Sequence, residues 1–156
     1  MNHWKAIALT ILASTSLSWA QNLPQKNYVR VEVAAVRSLP KDTSEQVTQG
    51  LLGDEVQVIE ERPEWTKVYI KPQYRTEKGY PGWIRKEFVV RQTEIPSAQQ
   101  VVVSAPQVAL RSKPDAKSKI VQRASLGSQL SLAPADGATP EDWVAVLVPG
   151  RQQALY

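Results

Sequence analysis

The sequence predicts an all-β chain: two small barrels in tandem, the second incomplete at its C-terminus, behind a cleaved signal-peptide helix. Three observations predict it. One residue pattern occurs twice at a constant offset, and a self-similar period means two copies of one supersecondary unit. Apolar residues alternate with polar ones in short runs bounded by Gly and Pro, which is the signature of half-buried strands. No segment of the first copy, from about Tyr28 to Arg91, keeps a helical period for more than a turn.

The repeat carries the argument. Val36, Arg37, Ser38, Pro40, Ser44, Val47, Leu52, Gly53, Val56 and Val58 are followed, 74 residues later, by Leu110, Arg111, Ser112, Pro114, Ser118, Val121, Leu126, Gly127, Leu130 and Leu132. Each copy then reaches a Trp before an apolar alternation, Trp65-Thr66-Lys67-Val68 in one and Trp143-Val144-Ala145-Val146 in the other. The first copy closes with Gly79-Tyr80-Pro81-Gly82-Trp83-Ile84, and the sequence stops at Tyr156 about where the second closure begins.

The N-terminus is set apart first. Lys5 precedes an apolar stretch from Ala6 to Leu12, which grades into hydroxyl residues and ends Ser18-Trp19-Ala20. A lone positive charge, a short apolar region and small residues before Gln21 describe a secretory signal peptide. A membrane span needs ~20 apolar residues, more than this run supplies. The predicted location is therefore outside the cytoplasm, periplasmic or at the cell wall, with no transmembrane anchor after cleavage.

Residues 21–28 are polar, contain Pro24 and read as a leader. The first barrel is expected over 29–91. Val29, Val31 and Val33 alternate with Arg30 and Glu32 as a strand, and Leu51-Leu52-Gly53-Asp54 is a turn delivering a second strand over Asp54–Glu60. Trp65–Ile70 is a third, joined through a tight Pro63-Glu64 connection, and Trp83-Ile84 opens a short fourth. Val33 or Ala35, Val56, Val58, Val68, Ile70, Trp83 and Ile84 are the expected core. Residues 92–100 form a polar linker around Pro96, and 101–156 the second, truncated barrel, with a long loop over Ala133–Asp142. A barrel lacking its last strand exposes two unpaired edges, so the second copy is expected to be the less stable.

Composition excludes more than it assigns. The chain has no Cys, and its single His is His3, inside the segment expected to be removed. Disulfides, a thiolate metal site and a cysteine nucleophile are thereby excluded within this chain, as is the commonest general base. The remainder is predicted to be no enzyme by itself and to hold no cofactor or metal. Setting Lys5 aside lowers 19 basic residues to 18 against 15 acidic, a net of +3. That balance is interspersed, and nucleic acid is not an expected partner.

The pattern Val-Arg-Ser-x-Pro, a Leu-Gly-Asp-Glu-Val turn, Trp-x-x-Val and Gly-Tyr-x-Gly-Trp-Ile resembles the bacterial SH3-like domain. Paired, such domains precede the catalytic domain of NlpC-type cell-wall cysteine endopeptidases. The resemblance implies two SH3-like barrels and a module that recognises peptidoglycan stem peptide or cell-wall polymer. It also leaves open an N-terminal fragment of an active γ-D-glutamyl-diamino acid cysteine endopeptidase. An envelope protein–protein interaction module is the third reading. The family's catalytic residues have no counterparts here.

Candidate ligand-binding residues follow from the long connection over Lys71–Tyr80, since long loops on small scaffolds often carry binding groups. It brings Tyr69, Tyr74 and Tyr80 near Lys71, Arg75 and Lys78, a mixture suited to carboxylates and methyl-bearing groups; a solvated hairpin tip explains the same composition. Trp65 and Trp83 are either packing anchors or groove-lining rings. Arg37 is a further binding candidate, but it and Arg111 sit at matched positions, which favours a repeated structural role such as pairing with an acid. Asp54, Glu55, Glu60, Glu61 and Glu64 are expected on an exposed strand face and a turn, not as a catalytic dyad.

Overall fold

The computed structural model describes residues 24–95, 99–134 and 139–156. The predicted signal peptide, residues 96–98 of the predicted linker and residues 135–138 of the long loop lie outside the described residues. The first copy contributes seven strands: β1 (Gln25–Val29), β2 (Val33–Arg37), β3 (Gln46–Leu51), β4 (Glu55–Glu61), β5 (Trp65–Ile70), β6 (Tyr80–Arg85) and β7 (Val89–Thr93). They form one antiparallel sheet in the order β3-β2-β6-β5-β4-β1-β7. As predicted, Arg62 N–H bonds the Trp65 carbonyl at 2.8 Å, closing the β4–β5 hairpin over Pro63-Glu64.

The start of this barrel differs from the sequence reading. The strand expected over 29–33 is broken at residues 30–32, although Arg30 N–H still bonds the Phe88 carbonyl at 2.9 Å, the next rung of the β1–β7 register. Residues 25–28, expected as leader, are paired instead with both β7 and β4, Tyr28 opposite Val90 on one side and Glu55 on the other. The linker shortens likewise, because β7 runs to Thr93 and the next strand begins at Gln100.

That break moves the core by one residue. Val29, Ala34, Val36, Val56, Val68, Ile70 and Ile84 pack together, with Val58 partly buried against them. Val33 is exposed and Ala35 only half-buried, because a one-residue change of phase sends each side chain to the opposite face of a strand. Trp83 is buried yet outside this cluster, since it alternates with Ile84 on β6.

The second copy repeats the order, with strands equal to or shorter than their counterparts: β8 (Gln100–Val102), β9 (Gln107–Arg111), β10 (Ile120–Ser125), β11 (Gln129–Leu132) and β12 (Val146–Leu147). β9 pairs with β10, and β11 lies between β8 and β12. The closing position, expected to lack its strand, carries two rungs. Leu155 exchanges both backbone hydrogen bonds with Val146, at 2.8 and 3.0 Å, and Tyr156 both with Arg111, at 2.7 and 3.0 Å. In the first barrel the residue opposite Val68 is Gly82, and that opposite Arg37 is Trp83. Leu155 and Tyr156 therefore stand where Gly82 and Trp83 stand.

The repeated motif residues build the same turn in each copy. Arg37 Nη1 donates to the Ser44 carbonyl at 2.7 Å, and Arg111 Nη1 to the Ser118 carbonyl at 2.6 Å. Ser44 Oγ bonds the Leu39 carbonyl and Ser118 Oγ the Lys113 carbonyl, each at 2.9 Å. The matched arginines thus share a structural role; their partner is a backbone carbonyl, not an acid.

The barrels are joined by more than a linker. Leu52, fully buried, leaves the first barrel and completes the core of the second beside Val103, Leu110, Ala124, Leu130, Val146, Val148 and Leu155. The turn carrying it comes so close that a Cβ on Gly53 would lie 2.3 Å from the Gln129 carbonyl oxygen, and Gly53 has φ +95°. Only glycine suits both demands. Around this plug, Glu32 Oε1 accepts from Gln107 Nε2 at 2.7 Å and Ser125 Oγ at 2.8 Å, and Gln122 Nε2 donates to the Arg30 carbonyl at 2.8 Å. Gln92 Oε1 accepts from Gly150 N–H at 2.6 Å.

Candidate functional site

Apart from Arg37 on β2, the predicted candidates fall on the outer face of β5 and β6 and on the loop between those strands. Odd-numbered residues of both strands point away from the core, and the register sets Trp65 opposite Arg85, Lys67 opposite Trp83 and Tyr69 opposite Pro81. Both tryptophans are nonetheless buried. Arg85 stacks over the Trp65 ring with its guanidinium carbon 4.5 Å from the centroid, and Arg62 over Trp83 at 4.4 Å. Arg85 is itself held by Glu64 at 2.9 Å and by Asp42. These rings are roofed by cations and offer no bare aromatic groove, which makes them anchors of the outer face. Arg37, opposite Trp83, is committed to its turn.

The loop beyond Ile70 is tied to itself and to the sheet. Thr76 Oγ1 bonds the Gly79 carbonyl at 2.7 Å, and Gln73 bonds Thr48 and the Gln49 carbonyl. Arg75 lies 5.7 Å from the centroid of Tyr80, while Tyr74 is 95% exposed. The loop brings Arg75 and Tyr80 together, but leaves Tyr74 in solvent and sets Tyr69 on the strand face.

A concave site arises elsewhere, between the barrels. The first contributes Lys26, Tyr28, Asp54, Glu55, Pro72, Glu94 and Ile95; the second contributes Gln100, Gln129, Leu130, Ser131, Leu147 and Pro149. The cleft measures about 200 Å³, the scale of a short peptide or its end group. Its rim is an ion-pair chain: Lys26 Nζ contacts Glu94 and lies 3.2 Å from Glu55 Oε2, and Lys71 Nζ lies 2.6 Å from Glu55 Oε1. Burial pushes the Glu55 carboxyl up, but the hydrogen bonds from Lys71 and Lys26 and their charges outweigh it and hold it below its usual 4.5.

Asp54 behaves otherwise. Expected on an exposed turn, it is only 7% exposed, and burial pushes its carboxyl above the usual 3.8 against the pull of one hydrogen bond from Leu51 N–H, at 2.9 Å. Tyr28, Ile95, Leu130 and Leu147 line the cleft together with Asp54 and the ion-pair rim, so the cleft can take a ligand carrying both charge and alkyl groups. Sequence reading missed it because its residues lie in several separated segments from two copies. The one local signal was the acidic residue after the Leu-Gly turn, where the second copy has Ser128.

Among the described residues no three His, Cys, Asp or Glu gather as metal ligands, and no helix is long and apolar enough to cross a membrane.

Comparison with known proteins agrees with this fold. Residues 32–90 match the bacterial SH3 domain family. The gamma-D-glutamyl-L-lysine dipeptidyl-peptidase of Bacillus cereus (strain ATCC 10987 / NRS 248) is 32% identical over 112 residues, 69% of this chain and 32% of that protein. The enzyme of the same name from Bacillus subtilis (strain 168) is 34% identical over 61 residues, 38% of this chain and 21% of its own. A solved NlpC/P60 family protein from Bacillus cereus ATCC 10987 shares the fold with a TM-score of 0.63 at 24% identity, over 83% of this chain and 53% of its own. The chain thus spans about a third of the length of the first of these relatives. Its first repeat matches the bacterial SH3 domain, and the chain is similar to part of the gamma-D-glutamyl-L-lysine dipeptidyl-peptidases.

Proposed function

We propose that this chain is an exported, cell-wall-associated module that recognises a peptidoglycan stem peptide, or holds it for a partner activity, and breaks no bond by itself. The observation that carries this reading is the conjunction of the SH3 fold with a cleft of mixed ionic and apolar lining between the barrels. Short peptides bearing carboxylates, amines and methyl groups complement such a lining through charge-assisted hydrogen bonds and apolar contact. Likeness to enzymes named for a γ-D-glutamyl-L-lysine unit supports the ligand class.

Co-sedimentation with purified sacculi tests it. The purified chain is expected to pellet with sacculi at moderate salt and to release no muropeptide fragments. Failure to pellet would favour an envelope protein as the partner, the reading in which the same surfaces serve another polypeptide. A second reading rests on the chain's spanning 32% of its B. cereus relative: the tandem then serves as the positioning part of a cysteine endopeptidase. Muropeptide cleavage by a longer product of the same reading frame would establish that reading.

A further inference from the structure

Among the residues lining the cleft is one whose carboxylate the fold leaves half used, Asp54. Asp54 Oδ2 accepts the Leu51 N–H, and Oδ1 accepts no hydrogen bond among the described residues. Its acidic neighbours differ: Glu55 is held by Lys26 and Lys71, and Glu94 by Lys26. No ion pair reaches Asp54, which is nevertheless more than nine-tenths buried. A mostly buried carboxylate with one backbone hydrogen bond and no counter-ion is costly, and its Oδ1, unlike Ser128 Oγ, is not sealed from solvent.

The second barrel provides an internal control for what the turn itself needs. Its equivalent residue is Ser128, and the two turns share their backbone bonds. Asp54 N–H bonds the Leu51 carbonyl and Ser128 N–H the Ser125 carbonyl, each at 3.0 Å; Gly53 N–H bonds Val29 at 3.0 Å and Gly127 N–H bonds Val103 at 2.9 Å. Ser128 Oγ makes no hydrogen bond at all. The turn therefore forms without any side-chain acceptor, and the carboxylate of Asp54 is not required to build it.

We propose that the cleft binds the ammonium group of a short peptide, with Asp54 Oδ1 as its acceptor. This rests on the reading of the chain as a wall-peptide module and assigns that module its site. An ammonium brings both the missing donors and the missing charge, and a charge-assisted hydrogen bond is strongest where water is excluded. An acylated amine leaves the carboxylate unpaired, and a site built around a buried polar group discriminates sharply against ligands that cannot satisfy it. Leu130 and Leu147 flank the alkyl part of the ligand, and Gln129 and Ser131 offer partners for its amides.

The test is an NMR titration of the whole chain with the dipeptide γ-D-Glu-L-Lys and with its doubly N-acetylated form. The free dipeptide is expected to shift the amides of Gly53, Gln129 and Leu130. Acetylation and Asp54→Asn should each weaken binding at least tenfold. Gln100→Trp, at an exposed position on the rim, should block entry while leaving the rest of the spectrum unchanged, and it carries the test if the Asp54 variant does not fold. Equal affinity for both peptides, equal affinity of the folded variants and the unaltered chain, or shifts confined to the Trp65–Trp83 face would overturn the proposal. Sacculus binding without dipeptide shifts in the cleft overturns the ammonium site and spares the module reading; absence of both overturns both.

Discussion

The two barrels repeat one design and finish it with different means. In the first, glycines make room for large neighbours: a Cβ on Gly50 would lie 2.8 Å from Val29 Cγ2, and one on Gly82 would lie 2.3 Å from Val36 Cγ1. Ile84 on the closing strand fills the centre. In the second, the corresponding places hold Ala124 and Leu155, both buried, and Leu52 arrives from the other copy. The first core is filled by its own strands, whereas the second is completed from outside. The Leu-Gly turn shows the asymmetry most directly, since Leu52 is fully buried in the neighbouring barrel and its equivalent Leu126 is 57% exposed. Sequence equivalence thus specifies a backbone turn, and assembly decides what its side chain does.

The severest way to break this comparison is to place a charge in the self-sufficient core. Val68→Asp puts an unpaired carboxylate among Val36, Ile70 and Ile84, and should cost more than about 4 kcal/mol. Because the second core draws on Leu52, both barrels should unfold; circular dichroism at 25 °C showing intact β structure would contradict it. Leu52→Ala comes next. Loss of a fully buried leucine should cost about 2–5 kcal/mol, whereas Leu126→Ala should stay within about 0.5 kcal/mol. Similar midpoints for these two variants in thermal melts would erase the asymmetry.

Much of the first barrel was legible because its signals are local. The Arg37–Ser44 and Arg111–Ser118 pairs recur in the sequence because each copy needs the same turn bonds. The hairpin over Pro63-Glu64 and the strands over 55–61 and 65–70 follow from alternation and turn chemistry. Three features were hidden by long-range causes. Residues 25–28 are polar, and become a strand because β4 and β7 both pair with them. The phase of Val33 to Val36 depends on a break at residues 30–32 that no glycine or proline marks. The cleft exists only once Leu52 has docked the copies, so its lining from Lys26 to Pro149 shares no sequence window. Among the candidates, the sequence leaves the tryptophans as either anchors or groove residues, and the arginines stacked over them are visible only in the fold.

Smaller perturbations sharpen the comparison. Gly82→Ala should cost about 1–3 kcal/mol through overpacking against Val36, while Leu155→Ala should destabilise by leaving a void in the second core. Opposite outcomes in urea melts would mean that the two closing positions are not equivalent.

Acid provides the gentlest probe. Glu55 ionises more readily in the folded chain than its usual 4.5. The unfolded chain therefore binds the extra proton, and this contribution is lost as pH falls through the folded value. Asp54 has the opposite sign, because its carboxyl is raised above 3.8 and folding becomes easier as it protonates. Glu55→Gln should consequently lose less stability than the unaltered chain below about pH 4.5, by no more than about 1 kcal/mol for so accessible a pair. Parallel stability curves would remove Glu55 from the rim network.

The most direct test of the whole account is residue-resolved urea unfolding followed at the Val36 and Leu110 amides, one in each core. The docked-barrel arrangement predicts one shared transition in the unaltered chain, and in Leu52→Ala a Leu110 transition shifted to lower urea than that of Val36. Two separate transitions in the unaltered chain, or a Leu110 midpoint unmoved by Leu52→Ala, would contradict it.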